Sequence, residues 1–402
     1  MIYDLAVVGA GAVGLATAYQ FQRAWPELKI AVLDKEPRVS AHQTGHNSGV
    51  IHAGTYYKPG SYKAQLSVRG RTQLIDFCAQ HGVAYDICGK IIVATEEEEL
   101  PRLHKIYATG QENGLTDIRL LDAQEIRARE PYCQGLQAVE VPYEGIVDFP
   151  GMCEALAAEL CRLNPRSTVL KDQEVVGLQR SGDLSLIQTP QGTLRARWLI
   201  GCAGLQADRL ARLDGLQPRT RIVGFRGDYY DLTPQGLHKV KHLIYPVPNP
   251  AFPFLGVHFT RMALGGVECG PNAVFVFKRE GYGKTDFDAR DTLDALSYRG
   301  TWALFARHWR FGLAEYRRAF SKRRFLRQLQ RLIPSLTMED LTPGRSGVRA
   351  MALGPDGQMV EDFAWETHLN AVHVLSAPSP AASACLAIGE EIRDKMEREL
   401  WN

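Results

Sequence analysis

The sequence lacks the features that mark membrane, metal-binding and nucleic-acid-binding proteins. No apolar run reaches the length of about eighteen residues that a membrane span requires. The eight cysteines are scattered, with no C-x-x-C pair and no His-Cys cluster, so we predict no metal site and expect reduced, mostly buried thiols. A net charge of +2 argues against nucleic acid as a partner. The first residues carry no basic stretch of the signal-peptide type, and we therefore expect a cytoplasmic protein.

A dinucleotide-binding motif stands at the start of the chain. An apolar run at residues 3–8 predicts a buried strand, which leads into Gly9, Gly11 and Gly14 at the opening of an apolar helix. These glycines allow, in turn, a tight turn, close approach of a pyrophosphate, and packing of the helix on the strand. A second apolar run ends at Asp34, whose carboxylate can accept a hydrogen bond from a ribose hydroxyl. The motif predicts a cofactor with an ADP half and leaves NAD and FAD open.

A polar loop at residues 44–54 follows the motif. It combines small residues, hydroxyls, an amide and two imidazoles. Such a loop is suited to pass beneath a flavin, where its small residues would admit backbone N–H groups to the pyrophosphate and ring. A polar surface turn is the alternative interpretation of the same composition.

Two later segments repeat the pattern of a buried strand, small residues and a helix. They are residues 198–204 and residues 371–383. A plain NAD dehydrogenase has no use for the second segment. A flavoprotein does, because the positive end of the following helix can stabilise charge on the reduced ring. The repeats therefore favour FAD and indicate that the chain returns to its first domain.

At 402 residues, with 45% hydrophobic and 23% charged residues, the chain should form about two globular domains. We predict an α/β fold: a Rossmann-like FAD-binding domain of the glutathione-reductase type, interleaved with an α+β substrate domain on a mostly antiparallel sheet. The FAD-binding domain is assigned to residues 1–80, 145–215 and 340–402, and the substrate domain to residues 81–144 and 216–339.

Strand-like runs between residues 221 and 277 are predicted to form the sheet that covers the ligand. Arg226, His258 and Arg261 are its notable polar residues, and we predict that they point into one cavity. For each of them, a purely structural role is the alternative.

Residues 298–335 form a basic tract. They carry ten Lys or Arg residues and one acid, Glu315, so the tract contributes +9 to the net charge and the rest of the chain −7. Interspersed aromatic residues predict a basic amphipathic helical pair. Such a pair can lie on an anionic membrane surface. A solvated helical subdomain or a surface for another partner explains the same pattern.

Together these stretches resemble the D-amino-acid-oxidase-like superfamily of FAD-dependent oxidoreductases and, within it, the L-2-hydroxyglutarate oxidase/dehydrogenase family. Asp34 stands where many relatives have Glu, and residues 301–325 match least well. The stretches that carry the resemblance are residues 42–57, 245–250, 254–261, 270–273, 278–282, 347–349 and 377–382.

The resemblance implies non-covalent FAD and oxidation of (S)-2-hydroxyglutarate to 2-oxoglutarate, with hydride transfer from C2 to flavin N5. Electrons would pass to a quinone or to oxygen, which allows a peripheral position on the inner membrane. The chemistry needs a base and cationic groups for two carboxylates. We assign His258 (first choice as base), His52 (second choice) and Arg349 to catalysis, and Arg226, Arg261, Arg349, Tyr57 and Lys58 to the substrate.

The residues assigned to FAD come from the glycine turn, the polar loop and the two returning segments. No metal is assigned. The FAD set is Gly9, Gly11, Ala12, Val13, Gly14, Asp34, Lys35, Thr44, Gly45, Asn47, Ser48, Gly49, Val175, Ala203, Gly204, Pro378, Ser379, Pro380, Ala381 and Ala382.

Two other functions fit the same residues. The first is a flavin oxidase of the same superfamily that acts on an amine or amino acid, which needs one carboxylate clamp rather than two. The second is a membrane-surface binding module in which the basic tract is the functional part and FAD is structural.

Overall fold

The computed structural model describes residues 1–249 and 256–401. Its strands are β1 Ile2–Val8, β2 Ile30–Leu33, β3 Val50–Ile51, β4 Tyr85–Asp86, β5 Lys90–Ala94, β6 Arg119–Asp122, β7 Gln137–Val141, β8 Gly145–Val147, β9 Thr168–Leu170, β10 Gly177–Ser181, β11 Leu184–Thr189, β12 Gly192–Gly201, β13 Arg221–Leu232, β14 Leu243–Pro246, β15 His258–Arg261, β16 Val267–Gly270, β17 Val274–Phe275, β18 Leu341–Leu353, β19 Ala364–His368 and β20 Ala371–Ser376. Its α-helices are α1 Ala12–Ala24, α2 Tyr62–His81, α3 Leu100–Glu112, α4 Ala123–Arg129, α5 Phe149–Leu163, α6 Ala207–Leu213, α7 Ala289–Leu296, α8 Arg299–Ala319, α9 Lys322–Leu329 and α10 Cys385–Met396.

The first sheet is built on the strand of the glycine motif. β1 lies between β12 and β2, β9 follows β2, and these four strands run parallel. The other edge of β12 pairs twice: its first half forms a hairpin with β11, and its second half lies parallel to β20. α1 packs against α5 and α10 over a core of buried aliphatic side chains. The carboxyl ends of β1, β12 and β20 therefore lie side by side.

The second sheet has the order β17-β13-β16-β15-β14-β5-β7-β6, with β18 beside β13. Its pairs are antiparallel except β14 with β5. A small third sheet, β3-β8-β4, contains the strand that precedes His52. The predicted fold class is confirmed: an α/β domain and an α+β domain on a mostly antiparallel sheet, with the chain passing repeatedly between them.

The domain division stays a proposal, and the strand pairing changes one of its boundaries. β18 belongs to the second sheet because it pairs with β13 along most of its length. On sheet membership, the last segment of the first domain begins after Leu353 rather than at residue 340.

Several predicted strands have different bounds in the structure. The alternating run at residues 168–180, which predicts one strand of a hairpin, is divided into β9 and β10 because residues 171–176 leave the sheet. Residues 173–176 line the cavity described below. The strand-like runs between residues 221 and 277 lie at residues 222–232, 242–247, 254–262 and 273–277, and none of them covers β16. Of the run at residues 254–262, residues 254 and 255 lie outside the described residues, and β15 begins at His258.

The basic tract is helical, as predicted, and forms α8 and α9. Within residues 1–249 and 256–401, no helix combines the length and the apolar character needed to cross a bilayer. All eight cysteines are free thiols, and five of them are buried.

Candidate active site

One large cavity opens at the carboxyl ends of β1, β12 and β20. Its volume is about 1270 Å³, compared with roughly 300–1,000 Å³ for a typical pocket that holds one small ligand. Its walls come from the glycine turn, the polar loop, the segment after β12, residues 377–383 and the second sheet. The cavity has room for a dinucleotide-sized ligand together with a small second one.

The glycine turn brings backbone to the cavity wall where no side chain would fit. A Cβ on Gly9, whose φ is +112°, would lie 2.3 Å from the carbonyl oxygen of Cys202. A Cβ on Gly14 would lie 1.9 Å from the carbonyl oxygen of Gly9. Helix α1 begins directly after Gly11, and the Thr44 hydroxyl accepts a hydrogen bond from the first helical N–H, at Ala12, at 3.0 Å. The positive helix end therefore borders a space suited to a pyrophosphate.

Asp34 is held at the end of β2 by backbone groups. Its Oδ2 accepts a hydrogen bond from Ala10 N at 2.7 Å, and its Oδ1 accepts one from Glu36 N at 3.0 Å. Because two backbone N–H groups fix the carboxylate at the cavity wall, it is placed to receive a ribose hydroxyl. Its assignment to the cofactor stays a prediction.

Lys35 lines the cavity inside a network of side chains that sequence reasoning missed. Its Nζ pairs with Glu36, lies 2.9 Å from Glu280 Oε2 and lies 3.0 Å from His42 Nε2. Glu36, His42 and Glu280 lie close enough together to hold a metal ion. The Lys35 ammonium already places a positive charge among them.

The polar loop is shaped by its own side chains. Asn47 donates to the carbonyls of Gln43 and Thr44 at 3.1 and 2.8 Å and accepts from Gly49 N at 2.8 Å. Gly45 and Gly49 do not line the cavity, unlike the other residues assigned to FAD. A Cβ on Gly45 would lie 2.3 Å from a backbone oxygen, and Gly49 has a φ of +69°. These two glycines therefore serve the loop's conformation.

The C-terminal segment is fastened to the polar loop. Ser383 Oγ donates to Val50 O at 2.9 Å and accepts from His52 N at 3.1 Å. Residues 377–383 thus line the cavity before α10 begins. Val175, Ala203 and Gly204 line it from two other segments.

His258 lies in the half of the cavity formed by the second sheet. It is buried and stacks on Tyr245, with 3.9 Å between ring centroids. Its Nδ1 is 2.9 Å from the carbonyl oxygen of Gly256, which can only accept, so Nδ1 carries the proton and Nε2 has a free lone pair. Burial, together with the positive charges of Arg349 and Lys90, lowers the pKa of His258 to about 3. The ring is neutral at pH 7.

His52 lines the same cavity from the end of the polar loop. Burial lowers its pKa to about 4, and the nearby Glu144 carboxylate opposes this shift. The structure therefore brings both histidines named as candidate bases to one chamber, each as a neutral imidazole.

Among the basic residues that line the cavity, Arg349 lies near His258 and Lys63 lies near His52. Arg349 extends from β18, as predicted from the sequence. Lys63, at the start of α2, was missed: its Nζ lies 5.5 Å from the centroid of the Tyr57 ring, and its side chain lines the cavity. The pattern of apolar residues after Lys63 indicates an amphipathic helix and no ligand. The position of Lys63 at the start of that helix, close after the polar loop, was the one signal in the sequence that could have placed it at the cavity.

Four tyrosines, Tyr56, Tyr57, Tyr229 and Tyr245, also line the chamber. Burial raises the pKa of each of them, so their hydroxyls are neutral hydrogen-bond donors at pH 7. Only Tyr57 was named from the sequence.

Arg226, Arg261 and Lys58 do not reach the cavity. The Nε of Arg226 donates to Asp228 Oδ1 at 2.8 Å, which engages its charge inside the second sheet. Arg261 lies three positions after His258 in β15 and so points to the opposite face, where its Nη1 is 3.2 Å from Asp86 Oδ2. Lys58 lies in an exposed turn. The structure gives no support to these three as substrate ligands.

The chain matches the family model of FAD-dependent oxidoreductases over residues 4–395. It belongs to that family. The backbone cradle at Gly9 and Gly14, the helix N-terminus and the fixed Asp34 carboxylate fit FAD, whose ADP half needs these groups. The cavity therefore fits FAD at the end bordered by the glycine turn, and the individual residues assigned to the cofactor stay predictions.

Three relatives with high similarity are L-2-hydroxyglutarate dehydrogenases. The chain is 42% identical to an L-2-hydroxyglutarate dehydrogenase of Indibacter alkaliphilus, over 97% of each chain. It is 43% identical to that of Escherichia coli K12, covering 98% of this chain and 93% of the relative. It is 42% identical to the mitochondrial protein of Homo sapiens, covering 98% and 89%.

Solved structures share the fold at low sequence identity. An FAD-bound, dithionite-reduced L-alpha-glycerophosphate oxidase from Mycoplasma pneumoniae superimposes with a TM-score of 0.79 at 21% identity, over 97% of this chain and 94% of that one. Glycine oxidase from Geobacillus kaustophilus gives 0.73 at 17% identity, over 99% and 95%.

Replacing Gly9 by Ala should abolish FAD binding, because the added Cβ would meet the Cys202 carbonyl and the backbone has a left-handed φ. The flavin-to-protein absorbance ratio of the purified variant measures this loss. Gly192→Ala is the matched control, since Gly192 also has a positive φ but a Cβ there meets nothing within 4 Å. Full flavin content in Gly9→Ala would contradict the cradle.

Stability should fall as the pH is lowered from about 6.5, the ordinary histidine pKa, towards the folded values of about 4 for His52 and about 3 for His258. In that window the unfolded chain binds more protons than the folded chain, so acid favours unfolding. His258→Asn, which retains a donor for Gly256 O, should show a smaller drop in Tm between pH 7 and pH 5. His104→Asn, at an exposed site, should show the wild-type drop; equal drops in all three proteins would refute this.

Proposed function

We propose that this protein oxidises L-2-hydroxyglutarate to 2-oxoglutarate with FAD. The observation that carries the proposal is similarity over nearly the whole chain to proteins of that activity. The chamber supports it with two neutral imidazoles and two cations.

FAD, when bound, supplies the two-electron acceptor for the hydride that leaves C2. The chain's own residues perform the remaining tasks. A neutral histidine, His258 or His52, takes the hydroxyl proton as the C2–O bond becomes a carbonyl. Arg349 and Lys63 hold the two carboxylates, and tyrosine hydroxyls donate hydrogen bonds to the same oxygens.

The amine-oxidase alternative has one observation in its favour. Arg349 is the only one of the three arginines named from the sequence that lines the cavity, and one clamp would suit an amino acid. Lys63 supplies the second cation that a dicarboxylate needs, and it favours the hydroxy diacid.

Anaerobic bleaching of the yellow protein with 2-hydroxy and 2-amino acids of both hands tests the reaction. We expect rapid bleaching by the L enantiomer of 2-hydroxyglutarate and slow or no bleaching by the amino acids. Bleaching by amino acids alone would replace the proposal with the amine-oxidase alternative.

Lys63→Met should lower kcat/KM for L-2-hydroxyglutarate by about 10²-fold, because one carboxylate loses a charge-assisted bond worth about 1.5–3 kcal/mol. For L-2-hydroxybutyrate, which lacks the distal carboxylate, the same change should have little effect. Lys58→Met is the control, since Lys58 lies in the preceding exposed turn. Equal losses on both substrates would remove Lys63 from recognition of the distal carboxylate.

We also propose a quinone or oxygen as the electron acceptor, and a cytoplasmic location with peripheral contact to the inner membrane through residues 298–335. Trp302 and Trp309 on α8 and Phe320 directly after it are exposed, by 57%, 58% and 62% respectively. The aromatic residues of α9 do not contribute, because Phe325 is buried in the core of the second sheet. Exposed aromatic residues among many arginines support contact with anionic lipid.

Trp309→Ser combined with Phe320→Ser should reduce flotation with vesicles that contain anionic lipid, because the change removes exposed apolar surface from the basic tract. Raising the salt concentration should weaken flotation of the wild type. Leu369→Ser, which changes a residue exposed by 62% in the turn between β19 and β20, is the control. Flotation that neither the double variant nor salt alters would argue against this contact.

A further inference from the structure

A buried ion pair lies behind the chamber and takes no part in the chemistry described so far. Lys90 and Glu144 are each 1% exposed, and Lys90 Nζ lies 2.5 Å from Glu144 Oε2. Neither side chain lines the cavity. Removing two charges from water is costly, so a buried pair of this kind calls for an explanation in terms of its neighbours.

Strand pairing places Glu144 beside His52. β3 and β8 are antiparallel with Ile51 opposite Gly145, so the residue after Ile51 is next to the residue before Gly145. His52 Nδ1 lies 3.7 Å from Glu144 Oε2. Nδ1 is buried and has no hydrogen-bond partner among the described residues, which leaves Nε2 as the ring nitrogen available to the cavity.

The carboxylate of Glu144 is fixed by its surroundings. Its Oε1 accepts hydrogen bonds from Ala53 N and from the Thr55 hydroxyl, both at 3.3 Å. On the other side, Lys90 Nζ lies 5.1 and 4.8 Å from the ring centroids of Tyr56 and Tyr245. Oε2 is therefore held between the ammonium group and the imidazole.

The charged groups around His52 act in opposite directions. Glu144, in the turn before β8, raises the pKa of His52, whereas Lys90 at the start of β5 and Lys63 on α2 lower it. His258, from β15, faces the same region as a neutral ring. Burial by itself would raise the pKa of Glu144, but Lys90 and His52 lower it, so the carboxylate is charged at pH 7.

We propose that Glu144 is a positioning residue for His52. It directs Nδ1–H of the ring away from the cavity, so that Nε2 receives the proton of the substrate hydroxyl, and its negative charge stabilises the imidazolium that results. Lys90 keeps Glu144 ionised. His258 has the backbone carbonyl of Gly256 as its Nδ1 partner, so the pair favours His52 as the base. This inference rests on the proposed function only for the source of the proton.

The first test needs no substrate. In FAD-loaded protein with labelled histidine, NMR titration follows the His52 ring, which is identified by its absence in His52→Asn. Lys90→Met should raise the apparent pKa of His52 by about one unit or more, and Glu144→Gln should lower it. The double variant Lys90→Met/Glu144→Gln leaves no unpaired charge buried and should titrate at or below the wild-type value.

The second test is the rate of flavin reduction in a stopped-flow instrument with L-2-hydroxyglutarate. Glu144→Gln and the double variant should reduce the limiting rate by about 10–100-fold, with little change in the substrate concentration at half saturation. Glu140→Gln is the control, because Glu140 belongs to the same segment and pairs with Arg119 and Arg129 rather than with His52.

The outcomes separate the two proposals. Unchanged His52 titration across the variants, or a wild-type reduction rate in the double variant, would overturn the role of Glu144 and leave the pair as a structural link between two sheets. Absence of reduction of the wild-type flavin by any 2-hydroxy acid would instead overturn the proposed function, while the titration still decides whether Glu144 acts on His52.

Discussion

The shape of the cavity that fits FAD depends on how closely two backbones approach at Gly9 and Cys202. The ends of β1 and β12 meet there with no side chain between them, since a Cβ would lie 2.3 Å from the Cys202 oxygen. Hydrogen bonds from Cys202 N to Val8 O at 2.8 Å and from Gly9 N to Leu33 O at 2.7 Å continue the sheet to its edge. Because the carboxyl ends of these parallel strands lie at the same edge of the sheet, the start of α1, the segment after β12 and residues 377–383 all border the same cavity.

The candidate substrate groups of the cavity come together where the two sheets meet. Arg349 comes from β18 of the second sheet, Lys63 from α2, and His52 from the end of the polar loop at residues 44–54. That loop is held from both sides. Arg345 donates to the carbonyls of Gly45 and Asn47 at 2.9 and 2.6 Å. Ser383 donates to the carbonyl of Val50 and accepts a hydrogen bond from the backbone N–H of His52. The same hydrogen bonds therefore fix the polar loop and the position of His52 at its end.

Local features were predictable from the sequence because local physics determines them. The glycine turn and the two later segments of strand, small residues and helix follow from short-range patterns. The choice of His258 and His52 as candidate bases comes from the family resemblance, because no local pattern brings residues so distant in the chain into one cavity. The failures have different physical reasons. Arg261 is separated from His258 by three strand positions, which reverses its direction. Asp228, two positions after Arg226 on the same face of β13, engages its charge, and the period of two could have revealed this neighbour. Spacing could not reveal the approach of Glu144 to His52, because it depends on strand register.

The order in which the walls of the cavity occur along the chain has a consequence for biogenesis. The glycine turn is synthesised first, but residues 377–383 also line the cavity, and Ser383 fastens the polar loop through Val50. A nascent chain cannot complete the walls of the cavity until those residues have left the ribosome. A chain interrupted before residue 377 would lack the fastening of its polar loop and would leave the cavity open on that side.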